Sequence, residues 1–280
     1  MTAPKQANTP QSGKGPRTYS WPPLPPHEFE SISVTSAIKG GLPTPHLIGW
    51  AAKVTAQAAV DDHELLTMML AKPNGEAMAI DHLKGSRFRD MNAKADRGTI
   101  VHAALEAYVD ERPMGQETVE ELLKEHRVPL EMWKSTAAMI VGVMEFLHAT
   151  EPEIFWSEQT VYSRTHGYAG TPDLIAKMSI GGSRVPVIID IKTGKRIYDE
   201  VGLQMAAYAK ADFVGLDDGT EAPLVPTGEP IEYGVAVRPT ASGKFEAVTF
   251  AIGPDLFDLF LGCLTVANGK DALASARRPG

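Results

Sequence analysis

Residues 185–192 read Val-Pro-Val-Ile-Ile-Asp-Ile-Lys, and this run constrains the fold more than any other stretch. Nearly every side chain in it is apolar, so it fits a strand buried on both faces in the middle of a sheet. Gly181-Gly182-Ser183 just before it is a hairpin connection, which makes residues 173–180 the neighbouring strand. A helix is expected over residues 199–213, a loop over 217–230, and two closing strands over 231–238 and 245–250. Residues 254–274 read as an amphipathic helix with Leu256, Phe257, Leu259, Phe260 and Leu264 on its apolar side. The expected class is α/β: a central mixed β-sheet flanked by helices.

The first half is expected to be mainly helical. Residues 31–42 begin with alternating apolar positions and break at Gly40-Gly41. Thr44-Pro45 suits a helix start, with threonine as N-cap and proline at the first helical position. Helices follow through residue 60, over 63–71 and over 75–95, and a new one opens at Asp96-Arg97-Gly98-Thr99 and runs to Val109. Two more are expected over 116–126 and 129–149. The second carries Met132, Trp133, Met139, Ile140, Val143, Met144 and Leu147 at helical spacing, a core stripe. From Ile154 to Tyr162 the period becomes alternating, which predicts a single strand, and residues 166–170 predict a turn. Residues 1–28, rich in Pro, Gly, Ser and Thr and ending near Trp21-Pro22-Pro23-Leu24-Pro25-Pro26, predict a disordered or loosely docked tail, or else a proline-rich partner ligand. Residues 29–280 are expected to be one domain, with a helical part to 150 and a sheet core after it.

On a strand, residues two apart share a face, so Asp190 and Lys192 point one way and Ile191 points into the core. A carboxylate at the end of a buried strand is costly unless it is paired or metal-bound. For Asp-x-Lys alone, a plain salt bridge is the simpler reading. Gly170-Thr171-Pro172-Asp173 adds a second acid at the start of the neighbouring strand. Asp173, Asp190 and the Ile191 carbonyl can then converge on one hard divalent cation, which takes oxygen ligands. Such an ion polarises a phosphate and acidifies water, while Lys192 orients or deprotonates that water or stabilises charge on the phosphate. His102 sits in the helix before Val109, with Glu106 one turn on, and a lone helical histidine is by itself a structural residue. Residues 84–97 hold Lys84, Arg87, Arg89, Lys94 and Arg97 against Asp90 and Asp96, either a solvated helix face or a phosphate contact.

Gly170-Thr171-Pro172-Asp173, then Ile188-Ile189-Asp190-Ile191-Lys192, then Gln204-x-x-x-Tyr208, preceded by Gly98-x-x-x-His102, resemble the PD-(D/E)XK nuclease superfamily, specifically its RecB-like branch. Four motifs in the right order are far more specific than any one, and the resemblance covers residues 31–250. It extends to single-domain bacteriophage nucleases and to CRISPR-associated members of the branch. It implies a restriction-endonuclease-like core in which His102, Asp173, Asp190 and the Ile191 carbonyl bind Mg²⁺ or Mn²⁺ and Lys192 is catalytic. Gln204 and Tyr208 would line the DNA path, Glu158 would orient a ligand from the preceding strand, and Thr193, Lys195 and Arg196 would contact phosphate unless they are solvated loop. The imidazole tilts the choice of metal toward Mn²⁺.

Many relatives carry four cysteines on an iron–sulfur cluster; this chain has the single Cys263, so neither that cluster nor an internal disulfide is expected. No phosphate-loop motif of an ATP-driven helicase is present, so unwinding would come from a partner helicase, and a single-strand annealing recombination protein is the other expected partner. The net charge of -8 argues mildly against whole-surface affinity for nucleic acid but leaves room for a local basic cleft. No apolar run approaches the roughly 20 residues of a membrane helix, and the start of the chain is polar, so a cytoplasmic protein is expected, in the host if phage-encoded. The sequence therefore reads as a metal-dependent deoxyribonuclease, most simply an exonuclease in phage-type recombination, replication or repair. The rival readings are a non-cleaving DNA-binding recombination accessory protein on a degenerate nuclease fold, and a site-specific endonuclease.

Overall fold

A computed structural model describes residues 7–8, 16–21, 30–43, 45–112, 114–269 and 275–276, with side chains for all of these but 7–8, 46 and 92–96. The chain divides into two compact units, Met1–Leu42 with Gly98–Gly280, and Pro43–Arg97. In chain order, β1 (Ala7–Asn8), β2 (Thr18–Ser20) and β3 (Glu30–Ser33) lead into α1 (Val34–Gly41). Next come α2 (Pro45–Asp61), α3 (His63–Leu70) and α4 (Gly75–Val109), whose residues from Gly98 onward belong to the first unit. Then follow α5 (Gln116–Glu125), α6 (Leu130–Thr150), β4 (Glu153–Ser157), β5 (Val161–Ser163), β6 (Tyr168–Gly170), β7 (Leu174–Ile180) and β8 (Ser183–Ile191). The chain continues with α7 (Glu200–Ala209), β9 (Phe213–Gly215), β10 (Glu221–Ala222), β11 (Tyr233–Pro239), β12 (Phe245–Ala251) and α8 (Pro254–Asn268).

Among the described residues the strands form two sheets, one in the order β12-β11-β8-β7-β4 and one in the order β1-β2-β3-β6-β5-β9-β10. In the first, β8 is the central strand: it pairs antiparallel with β7 and parallel with β11, the parallel step being spanned by a crossover through α7. The register Ile180↔Ser183 leaves Gly181-Gly182 as the two-residue hairpin. Alternate β8 residues feed two different cores. Ile188 packs with α1, α7 and α8 through Ile38, Ala206 and Phe260. Val187, Ile189 and Ile191 pack with α4, α5 and α6 through Leu105, Leu123 and Val143. A mixed sheet covered by helices on both faces is thus the observed architecture, with a restriction-endonuclease-like core.

Several boundaries differ from the sequence reading. The helix break expected at Asp96-Arg97 is absent: α4 runs through, because Gly98 weakens a helix by only about 1 kcal/mol and no proline stops it. The side chains of Lys94 and Asp96, and the expected N-cap Thr44, lie outside the described residues. The strand expected over 154–162 is two strands, β4 and β5, in different sheets. Residues 34–41 form a helix, α1, whose N-cap Ser33 accepts a hydrogen bond from the Ser36 amide at 3.1 Å. Tyr168–Gly170 is a strand, not a turn, and Phe213 opens β9 instead of ending α7. In α8, Phe260 and Leu264 are buried but Leu259, a quarter-turn away, is exposed.

Most of the expected tail, including Pro22 to Pro26, lies outside the described residues, but part of it joins the fold. Thr18–Ser20 pairs with β3, and Trp21 is buried against Tyr162 and Phe213 at ring distances of 5.1 and 5.3 Å. Two aromatic side chains, Tyr19 and Trp21, provide the apolar burial that the polar composition around them hides. In Pro43–Arg97, by contrast, Gly75, Ala79 and Ser86 are the buried residues among those described. No helix among the described residues is long and apolar enough to cross a membrane.

Candidate metal centre

The site lies where β7 begins and β8 ends. Continuing the register Leu174↔Ile189 by one residue sets Asp173 across from Asp190. Both are buried, at 7% and 2% exposure, and like charges directly opposite on adjacent strands repel. The Ile191 amide donates to Asp173 Oδ2 at 2.5 Å, while the Ile191 side chain is buried in the core, as the pleat requires. Lys192 Nζ lies 2.5 Å from Asp190 Oδ2, an ion pair at the buried end of β8.

Glu158 arrives from β4. Its φ is 50°, left-handed backbone that costs a non-glycine residue about 1–2 kcal/mol. There the chain leaves one sheet for the other. The strained turn is held by the Glu158 amide donating to the Asp173 carbonyl at 3.0 Å, and it brings the carboxylate to the centre. His102 comes from α4. Its Nδ1 lies 3.2 Å from Glu158 Oε1 and 3.3 Å from Asp173 Oδ1. Gly98, one turn earlier, allows α4 this approach: a Cβ there would stand 3.3 Å from Thr193 Oγ1, beside Lys192.

The electrostatics follow from burial and crowding. Burial alone would lower the His102 pKa, but Asp173 and Glu158 overcome it and raise it to about 9. The Asp173 carboxyl is pushed up, first by burial and then by the charge of Asp190, against the opposing pull of His102. Burial would also lower Lys192, but Asp190 and Asp173 hold its ammonium above the ordinary lysine value. His102, Glu158 and Asp173 each offer one ligand atom, all within 4.8 Å of one another, so this mixed oxygen and nitrogen set is capable of coordinating a divalent cation. Glu158, given an orienting role above, stands in the cluster, while Asp190 stands next to it, held by Lys192.

Lys192 Nζ also donates to Gln204 Oε1 at 3.2 Å, and Gln204 Nε2 donates to the hydroxyl of the buried Tyr208 at 2.8 Å, so α7 continues the polar chain from Asp190. Gly170 is needed where Tyr208 packs, since a Cβ would come within 2.5 Å of its ring. Lys195 and Arg196 are exposed on the loop after β8, with the Arg196 guanidinium over the Tyr198 ring at 4.4 Å. Three further residues near the centre escaped the sequence reading: Tyr19, Thr160 and Thr171, joined through their hydroxyls. The alternation Thr18-Tyr19-Ser20-Trp21 was the signal for the first of them.

A profile of the PD-(D/E)XK nuclease superfamily matches residues 79–217, about half of the chain. The chain belongs to the PD-(D/E)XK nuclease superfamily. Pro172-Asp173 and Asp190-Ile191-Lys192 supply the pattern of the superfamily's name, and the matched span also holds His102, Glu158, Gln204 and Tyr208. A search of curated proteins returned no match. The superfamily's pattern accounts for what is otherwise an unfavourable arrangement, two buried acids facing each other across adjacent strands, and the arrangement is consistent with nuclease chemistry.

Proposed function

We propose that this protein is a metal-dependent deoxyribonuclease of the RecB-like branch, an exonuclease acting on DNA ends in phage-type recombination, replication or repair. The observation that carries this reading is the convergence of His102, Glu158 and Asp173 within 4.8 Å, beside the Asp190–Lys192 pair. The helical motifs at Gly98–His102 and Gln204–Tyr208 favour the RecB-like branch over restriction-type relatives. A divalent cation, Mn²⁺ or Mg²⁺, would be held by His102, Glu158 and Asp173, with Asp190 adjacent, and supplies Lewis acidity toward phosphate and a more acidic bound water.

The chain's own residues do the rest. The Ile191 amide fixes the Asp173 carboxylate. Lys192, protonated and held between Asp190 and Gln204, offers positive charge to the phosphorane-like transition state and orients the attacking water. Gln204, held from below by the buried Tyr208, continues this polar line on the DNA side, and Lys195 and Arg196 meet phosphates sequence-independently. Hydrolysis forms a bond from the water oxygen to phosphorus and breaks the bond from phosphorus to the leaving sugar oxygen. A helicase or a single-strand annealing protein is the partner such an enzyme would work with.

The test is digestion of end-labelled linear and covalently closed circular DNA with Mn²⁺, Mg²⁺ or EDTA, using the parent and Asp190→Ala proteins. Metal-dependent loss of linear but not circular DNA, absent in the variant, is the expected result. Cutting of circles would move the reading to an endonuclease, and equal cutting by both proteins would overturn it.

A further inference from the structure

We propose that Tyr19, from the N-terminal strand β2, is a positioning residue for the metal centre, acting through a row of three hydroxyls. The proposal rests on the metal-site reading above. Glu158 and Asp173 reach the centre from the end of β4 and the start of β7, and each has a threonine two residues away, Thr160 and Thr171. Those two hydroxyls lie 3.2 Å apart, so they tie together the two segments that carry the carboxylates. The Tyr19 hydroxyl closes the row, 3.3 Å from Thr171 Oγ1. Tyr19 and Thr160 are 2% and 1% exposed, and Thr171 between them is half-buried, so the two outer members of the row are held inside the fold.

Tyr19 is itself fixed from two directions. Its backbone is held by the register Tyr19↔Ser31 with β3, and its ring belongs to an aromatic cluster with Trp21, Tyr162 and Phe213. The Tyr162 hydroxyl donates to the Ser20 carbonyl at 3.1 Å and locks the strand from the other side. Packing alone would be served by phenylalanine; the Tyr19 hydroxyl matters because of Thr171. In a metal site a ligand displaced by a fraction of an ångström loses affinity and rate together, so the spacing of Glu158 and Asp173 is what this row protects.

The experiment compares the full chain with Tyr19→Phe, Thr171→Val, the double variant, and Trp21→Phe as a packing control in the same cluster. Three quantities are read: Mn²⁺ affinity by calorimetry, kcat and KM on end-labelled linear DNA, and Tm. Tyr19→Phe is expected to keep its Tm within about 3 °C while Mn²⁺ affinity and kcat each fall about five- to tenfold and the KM for DNA holds. The double variant is expected to lose no more than Thr171→Val alone, because the two act through one contact. Trp21→Phe should lower Tm without changing the metal affinity of the folded protein. Tyr19→Phe with affinity and kcat within about twofold of the parent, or losses that merely follow Tm as in the control, or additive losses in the double variant, would overturn the proposal while a cutting, metal-binding parent leaves the nuclease reading standing. A parent protein that binds no Mn²⁺ would overturn the metal-site reading and this proposal with it.

Discussion

Proton and metal compete for His102, and the competition sets how the protein responds to pH. The His102 pKa rises from the ordinary 6.5 to about 9 in the folded chain because Asp173 and Glu158 surround it. At about 1.4 kcal/mol per pH unit, that rise corresponds to about 3 kcal/mol of stability from the bound proton. The folded value lies above the unfolded one, so this contribution is fully present below pH 6.5 and is lost as pH rises through 9. A cation that takes the imidazole must expel that proton. Its apparent affinity should therefore tighten about tenfold per pH unit from 6.5 to 8.5, about a hundredfold in all, and level off above 9. The Asp173 carboxyl is also raised, which steepens the dependence at the acid end. Calorimetric titration of Mn²⁺ at pH 6.5, 7.5 and 8.5, in buffers of different ionisation enthalpy, reads both the affinity and the protons released. About one proton should leave per metal at pH 7.5 and fewer as pH approaches 9, and His102→Gln should flatten the profile. Affinity independent of pH in the parent, with no proton released, would refute the assignment of His102 as a ligand.

Asp190→Asn should lower kcat by at least about a hundredfold and also lower the metal-free Tm, because losing the ion pair with Lys192 outweighs the relief of like charge beside Asp173; calorimetric melting in EDTA with a parallel digestion assay checks both. Gly170→Ala should cost about 1–3 kcal/mol, since the new methyl falls 2.5 Å from the Tyr208 ring, and it should break the Gln204–Tyr208 hydrogen bond; denaturant unfolding reads the first effect and kcat the second. Hydrogen exchange should find the β8 amides of Val187 to Ile191 among the slowest in the chain and those of residues 45–91 among the fastest, because the latter stretch buries so little; equal protection would refute that ranking.

What the sequence disclosed and what it hid divide along physical lines. The central strand was legible because a run from Val187 to Ile191 buried on both faces has few other placements, and the glycine pair before it fixed the hairpin. The motif residues were legible because strand and helix periods put Asp190 with Lys192, and Gln204 with Tyr208, on common faces. Glu158 was underread for a geometric reason. Residues 154–162 alternate well enough for a continuous strand, and nothing in a glutamate announces the left-handed turn that moves the chain between sheets and delivers the carboxylate. Tyr19 was missed because its contact with Thr171 spans 152 positions, and no local pattern encodes a pairing so distant. Composition made the stretch around it look like a tail, although Tyr19 and Trp21 together bury enough aromatic surface to hold a short strand.

The charges at the centre explain why one chain can carry this site and still fold. Glu158, Asp173 and Asp190 contribute three negative charges when ionised, and His102 and Lys192, both with raised pKa values, contribute two positive ones, so -3 + 2 = -1 remains. A divalent cation that displaces the His102 proton changes the sum to -3 + 1 + 2 = 0 without adding a buried, unpaired charge. The histidine is therefore more than a nitrogen ligand. Protonated, it stands in for part of the cation while the chain folds; neutral, it takes its place in the coordination set. Replacing His102 with a group that cannot carry a proton should accordingly cost stability in EDTA, by up to about 3 kcal/mol at pH 6.5, and progressively less toward pH 9. A stability loss in EDTA that did not shrink with rising pH would mean that His102 serves packing, and the electrostatic account of the centre would fail.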